Sequence, residues 1–129
     1  MNMIANSEGL YRAIKRSSIT EEPPGIAEGG RVTEFFFEDQ RGVSVDRSGE
    51  RSESVVLEAQ KAHFTKRYRG CVVVNAGECR GLGAYPIYKP SADNRYHSEI
   101  HQSSEIVKLG RLQMKKLADI ARIVEFIES

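Results

Sequence analysis

The chain is short of the features that announce a mechanism. Only two cysteines occur in its 129 residues, Cys71 and Cys79. Their spacing matches neither a redox pair nor a zinc knuckle, so ordinary reduced thiols are expected. The longest apolar runs, Phe35-Phe36-Phe37 and Cys71-Val72-Val73-Val74, fall far below the length that spans a bilayer, which excludes a membrane helix. Nineteen basic residues against eighteen acidic ones leave a net charge of +1. That balance removes any global field for gathering nucleic acid and argues against it as a partner. The first six residues carry no basic flank followed by an apolar segment, so a cytoplasmic protein is expected. Gly81-Leu82-Gly83 lacks the rest of a phosphate loop, and no serine has the flanking glycines of a nucleophile elbow.

What is present reads as one α+β domain over residues 1–129, a mixed, mostly antiparallel sheet packed by two helices. At this length roughly 70% of the unfolded chain's surface can be buried, enough for a single core. Leu10 to Ile14 alternates as a first strand, with Leu10, Arg12 and Ile14 on one side and Tyr11 on the other. Ser17 to Gly30, with Pro23-Pro24-Gly25 and Gly29-Gly30, reads as a long loop. Arg31 to Phe37 is expected as a strand with Phe35 and Phe37 inward, pairing with a neighbour at 42–47. Ser52 offers an N-cap to a helix carrying Val55, Val56, Ala59, Ala62 and His63 and ending near Gly70, with His63 packed among apolar neighbours.

Cys71 to Asn75 is β-branched and fully apolar, which suits a central strand beneath that helix. A turn or brief helical segment at 77–83 leads to a strand at 84–88, where Pro86 cannot donate and marks an edge or bulge. A turn at 90–94 precedes a strand from Tyr96 to His101, and a second helix carries Leu109 to Ala121. Arg122 to Phe126 either continues that helix or forms a last strand; its β-branched and aromatic residues favour the strand.

The chemistry concentrates in Asn94-Arg-Tyr-His-Ser-Glu-Ile-His101. On a strand the two-residue period puts His97, Glu99 and His101 on one face. The trio offers ligand types suited to a divalent metal, yet it is not the helical zinc-protease pattern, so metal ranks below proton transfer by His97 with Glu99. A second polar group is Val43-Ser44-Val45-Asp46-Arg47, where Ser44 and Asp46 share a face and Arg47 leads into the helix start, whose backbone donors can receive an anion. Cations gather at Lys61, Lys66, Arg67 and Arg69 beside Tyr68, and at Arg111, Lys115 and Lys116, but short solvated sets of this kind also suit helix ends.

Leu10-Tyr11-Arg12, Val43-Ser44-Val45-Asp46-Arg47 and residues 94–100, followed by Leu117-Ala118-Asp119, together resemble a family of small uncharacterised bacterial proteins. At a greater remove, the first-strand Tyr-Arg, the helix after a short strand and the late Asn-x-x-His are similar in layout to ADP-ribosyltransferase-like toxins of the RES class. That resemblance implies NAD or a nucleotide as ligand and Arg12 as the arginine that helps hold it. The enzyme reading therefore assigns anion holding to Arg12, acid/base work to His97, and polarising support to Glu99 and Asp46, with Arg47 and Ser44 completing the cofactor contacts. The alternative is a non-catalytic protein-interaction module of a defence or toxin–antitoxin locus, binding a partner encoded by a neighbouring gene through an apolar edge near Pro86.

Overall fold

A computed structural model of the chain describes residues 3–16 and 25–127. The alternation at 10–14 forms β1 (Gly9–Lys15). A two-stranded hairpin, β2 (Ile26–Ala27) and β3 (Arg31–Val32), leads to a 3-10 turn at Glu34–Phe37 and then to β4 (Val43–Arg47). Helix α1 (Glu53–Phe64) starts at Ser52, whose hydroxyl accepts from the Val55 N–H. It is followed by β5 (Tyr68–Asn75), the short helix α2 (Ala76–Gly81), β6 (Tyr85–Tyr88), β7 (His97–His101), α3 (Arg111–Ile120) and β8 (Arg122–Phe126).

Six strands make one sheet in the order β6-β7-β4-β1-β5-β8, with every pairing antiparallel. One face carries Leu10, Ile14, Val43, Val45, Val72, Val74 and Ile100, which pack with Phe36, Phe37, Met114 and Leu117 as the main core. The other face receives α1, whose Val56 sits against Tyr11, Cys71 and Val73. A central strand covered on both faces needs no polar alternation, which explains the unbroken apolar run at 71–74. Each such side chain contributes roughly 1.5–3 kcal/mol by leaving water. Pro86 lies in β6, the outermost strand on one side of the sheet, where its missing N–H costs nothing in the ladder. Among the described residues no helix is long and apolar enough to cross a membrane.

Three expectations are corrected. Residues 31–37 are not one strand: β3 pairs with β2, and the chain then coils into the 3-10 turn. Coiling lets the consecutive Phe36 and Phe37 both enter the core, which a two-residue period forbids, and it leaves Phe35 exposed. The neighbours of β4 are consequently β1 and β7. Helix α1 stops at Phe64, because Thr65 adopts φ 48°. Gly70 serves the sheet instead, at φ 141°, where a Cβ would run into the Glu125 carbonyl. Tyr68 is buried and donates its hydroxyl to Glu125, so it offers no stacking face. Of the loop expected at 17–30, residues 17–24 lie outside the described residues, and the remainder holds β2.

Candidate functional site

The centre of the sheet is split. β1 pairs with β5 from Gly9 to Lys15, and β4 pairs with β7 from Val43 to Asp46, but β1 and β4 share only Leu10↔Arg47 and Tyr11↔Asp46. Beyond that point the two strands are unpaired. Arg12 spans the opening, donating from Nη1 to the Ser44 carbonyl (2.9 Å) and from Nε to the Phe36 carbonyl (3.1 Å). A side chain thus replaces a ladder hydrogen bond and satisfies a backbone acceptor that the split would leave open. Burial lowers the pKa of Arg12, yet a guanidinium stays charged.

A cleft of about 470 Å³ lies over this split, walled by α1 on one side and the 93–97 segment on the other. Its floor is ordered by amides. Asp46 accepts from Asn94 Nδ2 at Oδ1 (2.6 Å) and from Gln60 Nε2 at Oδ2 (3.1 Å), and the same Gln60 amide donates to the Tyr11 carbonyl. Since both partners are pure acceptors, the Gln60 amide must point its NH₂ this way, and among the described residues its buried Oε1 has no hydrogen-bond partner. Gln60 is therefore an internal strut from α1 to the sheet. Among the described residues Asp46 is held by neutral donors, with no cation hydrogen-bonded to it.

His97 is directed from both sides. Its Nδ1 lies 2.8 Å from the Lys89 carbonyl and its Nε2 lies 3.4 Å from Ser44 Oγ. A carbonyl only accepts, so Nδ1 carries the hydrogen and the neutral ring keeps its lone pair on Nε2, facing the Ser44 hydroxyl. Asp93 stands at the mouth, its carboxyl held below the usual range by Ser91 and by the backbone, with smaller contributions from His63 and His97. Cations complete the walls, each laid on a ring: Lys15 over Phe64 (4.6 Å), Arg51 over Tyr96 (3.4 Å) and Arg95 over the same ring (5.1 Å). Burial, then the charges of Arg12 and Arg67, lower the pKa of Lys15. The rings are platforms for cations, which favours a ligand rich in negative oxygen.

Of the residues singled out in the sequence, Arg12, Ser44, Asp46 and His97 all line this cleft. Glu99 and Arg47 do not. Glu99 shares a sheet face with His97, but it is bonded to His101 Nε2 (2.7 Å) and lies 3.5 Å from Lys89 Nζ. Glu99 and His101 therefore meet each other while His97 is directed to the Lys89 carbonyl and Ser44, and among the described residues no three His, Cys, Asp or Glu side chains form a set that could hold a metal. Arg47 faces the main core, buried against Glu8 at 2.8 Å. An alternation count would have found this, since Arg47 has the parity of Val43 and Val45.

Sequence reasoning missed Lys15, Arg51, Gln60, Asn94 and Arg95 as wall residues, and it read His63 as packed. His63 is exposed, in the last turn of α1, and lines the cleft. Helical spacing held the signal: Val56, Gln60 and His63 follow one stripe, the first two buried and the third emerging where α1 reaches the cleft. A separate hollow of about 790 Å³ lies along β6, lined by Met3, Ile4, Arg80 and the Tyr85–Tyr88 strand. It is mostly apolar. No family model matches the chain, and no curated protein or solved structure matches it either.

Proposed function

We propose that the cleft holds a nucleotide and that the protein is a nucleotide-directed enzyme, acting in the cytoplasm. The observation that carries this reading is the split between β1 and β4, which gathers Arg12, Ser44, Asp46 and His97 from three strands around one opening. Ring-supported Lys15, Arg51 and Arg95 supply charge for phosphate oxygens. Asp46, held by two amides, is an acceptor suited to sugar hydroxyls. His97, with a settled tautomer, is the group able to move a proton. NAD is the first ligand to test, because the RES-class resemblance implies it and because Arg12, the residue it points to, does line the cleft.

A thermal-shift panel with NAD, adenine and guanine nucleotides and inorganic phosphate tests the reading. Ligand at about 100 times its Kd adds roughly 2.7 kcal/mol, a rise of several degrees. The rise is expected for at least one nucleotide and is expected to vanish in Arg51→Ala and Asp46→Asn. A panel with no shift at millimolar ligand overturns it. A second reading, the protein-interaction module, is supported by the hollow along β6, where Met3 and Tyr85 are exposed beside Pro86. Its partner would be a protein encoded nearby, and loss of binding on substitution across that patch, with the cleft intact, would favour it.

A further inference from the structure

We propose that the substrate in the cleft is single-stranded RNA, cleaved by His97 as general base and His63 as general acid; this rests on the nucleotide reading above. Two imidazoles enter the opening from different elements, His97 from β7 and His63 from the last turn of α1. His97 offers Nε2 as a lone pair, and the Ser44 hydroxyl 3.4 Å away marks where an O–H donor sits against it. A substrate hydroxyl in that place is positioned to lose its proton. His63 meets Phe64 edge-on at 4.6 Å and makes no hydrogen bond among the described residues, so its ring nitrogens are available to a ligand. Asp93 lines the same cleft as both rings.

RNA is the phosphate ester that this inventory suits, because it brings its own nucleophile. His97 Nε2 takes the proton of a ribose 2′-hydroxyl, the 2′-oxygen forms a bond to the adjacent phosphorus, and the bond from phosphorus to the 5′-oxygen breaks. Protonated His63 gives its proton to that departing oxygen. The products are a 2′,3′-cyclic phosphate and a 5′-hydroxyl; one proton has entered His97 and one has left His63, so atoms and charge balance. Lys15 lines the same cleft and is the cation available to the extra negative charge on phosphorus. The chain's net charge of +1 gives no long-range pull on a polyanion, but one phosphodiester needs only the cations of the cleft wall.

The test is a labelled single-stranded oligoribonucleotide of mixed sequence, incubated in EDTA with the full chain. Expected are fragments ending in cyclic phosphate and a bell-shaped pH profile, with His63→Ala and His97→Gln each slowing cleavage by about 100-fold or more. His63 is exposed, so its variant should melt with the wild type, which keeps the test valid if His97→Gln disturbs the fold. The same oligonucleotide with 2′-deoxyribose should stay intact. An intact RNA beside a positive nucleotide shift overturns this inference and leaves the nucleotide cleft standing; no cleavage and no shift overturns both. Cleavage of the deoxy substrate, or a wild-type rate in either histidine variant, also overturns it.

Discussion

Replacing Arg47 with methionine should leave Glu8 buried without its counter-ion. The pair is bidentate, with Nε to Oε1 at 3.1 Å and Nη2 to Oε2 at 2.8 Å, and the side chains are only 6% and 11% exposed. Arg47 also donates to the Met3 carbonyl and lies over the Tyr88 ring at 4.8 Å, so it ties the N-terminal segment to the sheet. Removing one member of a buried pair costs about 3–5 kcal/mol. Glu8 would keep the Ala5 and Gly49 N–H donors, which puts the expected loss near the lower figure of about 3 kcal/mol. For a domain of this length that is roughly a 10 °C fall in Tm, read by circular dichroism at pH 7.

The acid limb supplies a second check. Burial pushes the Glu8 carboxyl up, but hydrogen bonds from Arg47, Ala5 and Gly49 and the charge of Arg47 outweigh it and hold the group below its usual value. A depressed carboxylate contributes stability that is complete above its unfolded pKa, about 4.3, and is lost as pH falls through the lower folded value. The gap between wild type and Arg47→Met should therefore close below about pH 4. Glu8→Leu with Arg47→Met should recover part of the loss, since no orphaned charge remains. A single variant that melts within about 2 °C of wild type at pH 7, or a gap that does not change with acid, would refute the reasoning. Nucleotide shifts should survive in Arg47→Met, because Arg47 does not line the cleft.

Two further outcomes test the sheet. Gly70→Ala sets a side chain at φ 141° against the Glu125 carbonyl; it should destabilise by at least about 2 kcal/mol and raise amide exchange along β8, measured by NMR. Cys71 and Cys79 are buried and burial raises both thiols, Cys79 to about 12. Neither should react with iodoacetamide at pH 8 in the native state, and both should after denaturation, counted by mass; rapid native labelling would contradict the packing.

Much of the fold was legible in local pattern. β-branched density at 71–74 and 122–126, alternation at 10–14 and 97–101, the Ser52 cap and Pro86 at an edge are all statements about residues two to four positions apart, and such spacing carries them. The same arithmetic placed Ser44 with Asp46 and His97 with Glu99. It misled at 31–37, where three phenylalanines satisfy strand propensity equally well but the core takes two neighbours, and at Gly70, a breaker that serves the sheet instead of ending the helix.

The cleft belongs to the tertiary structure. Whether β4 meets β1 over two pairs or seven depends on long-range register, and only that register opens the split bridged by Arg12. The side of α1 on which His63 emerges, the distance from Ser44 to His97 and the burial of Arg47 follow from how the layers pack. The sequence alone determined which residues could carry chemistry and which neighbours in the chain share a face, because side-chain direction repeats with backbone period. Which of them share a site was decided by contacts between residues some fifty positions apart, such as Ser44 and His97, and no local period encodes those.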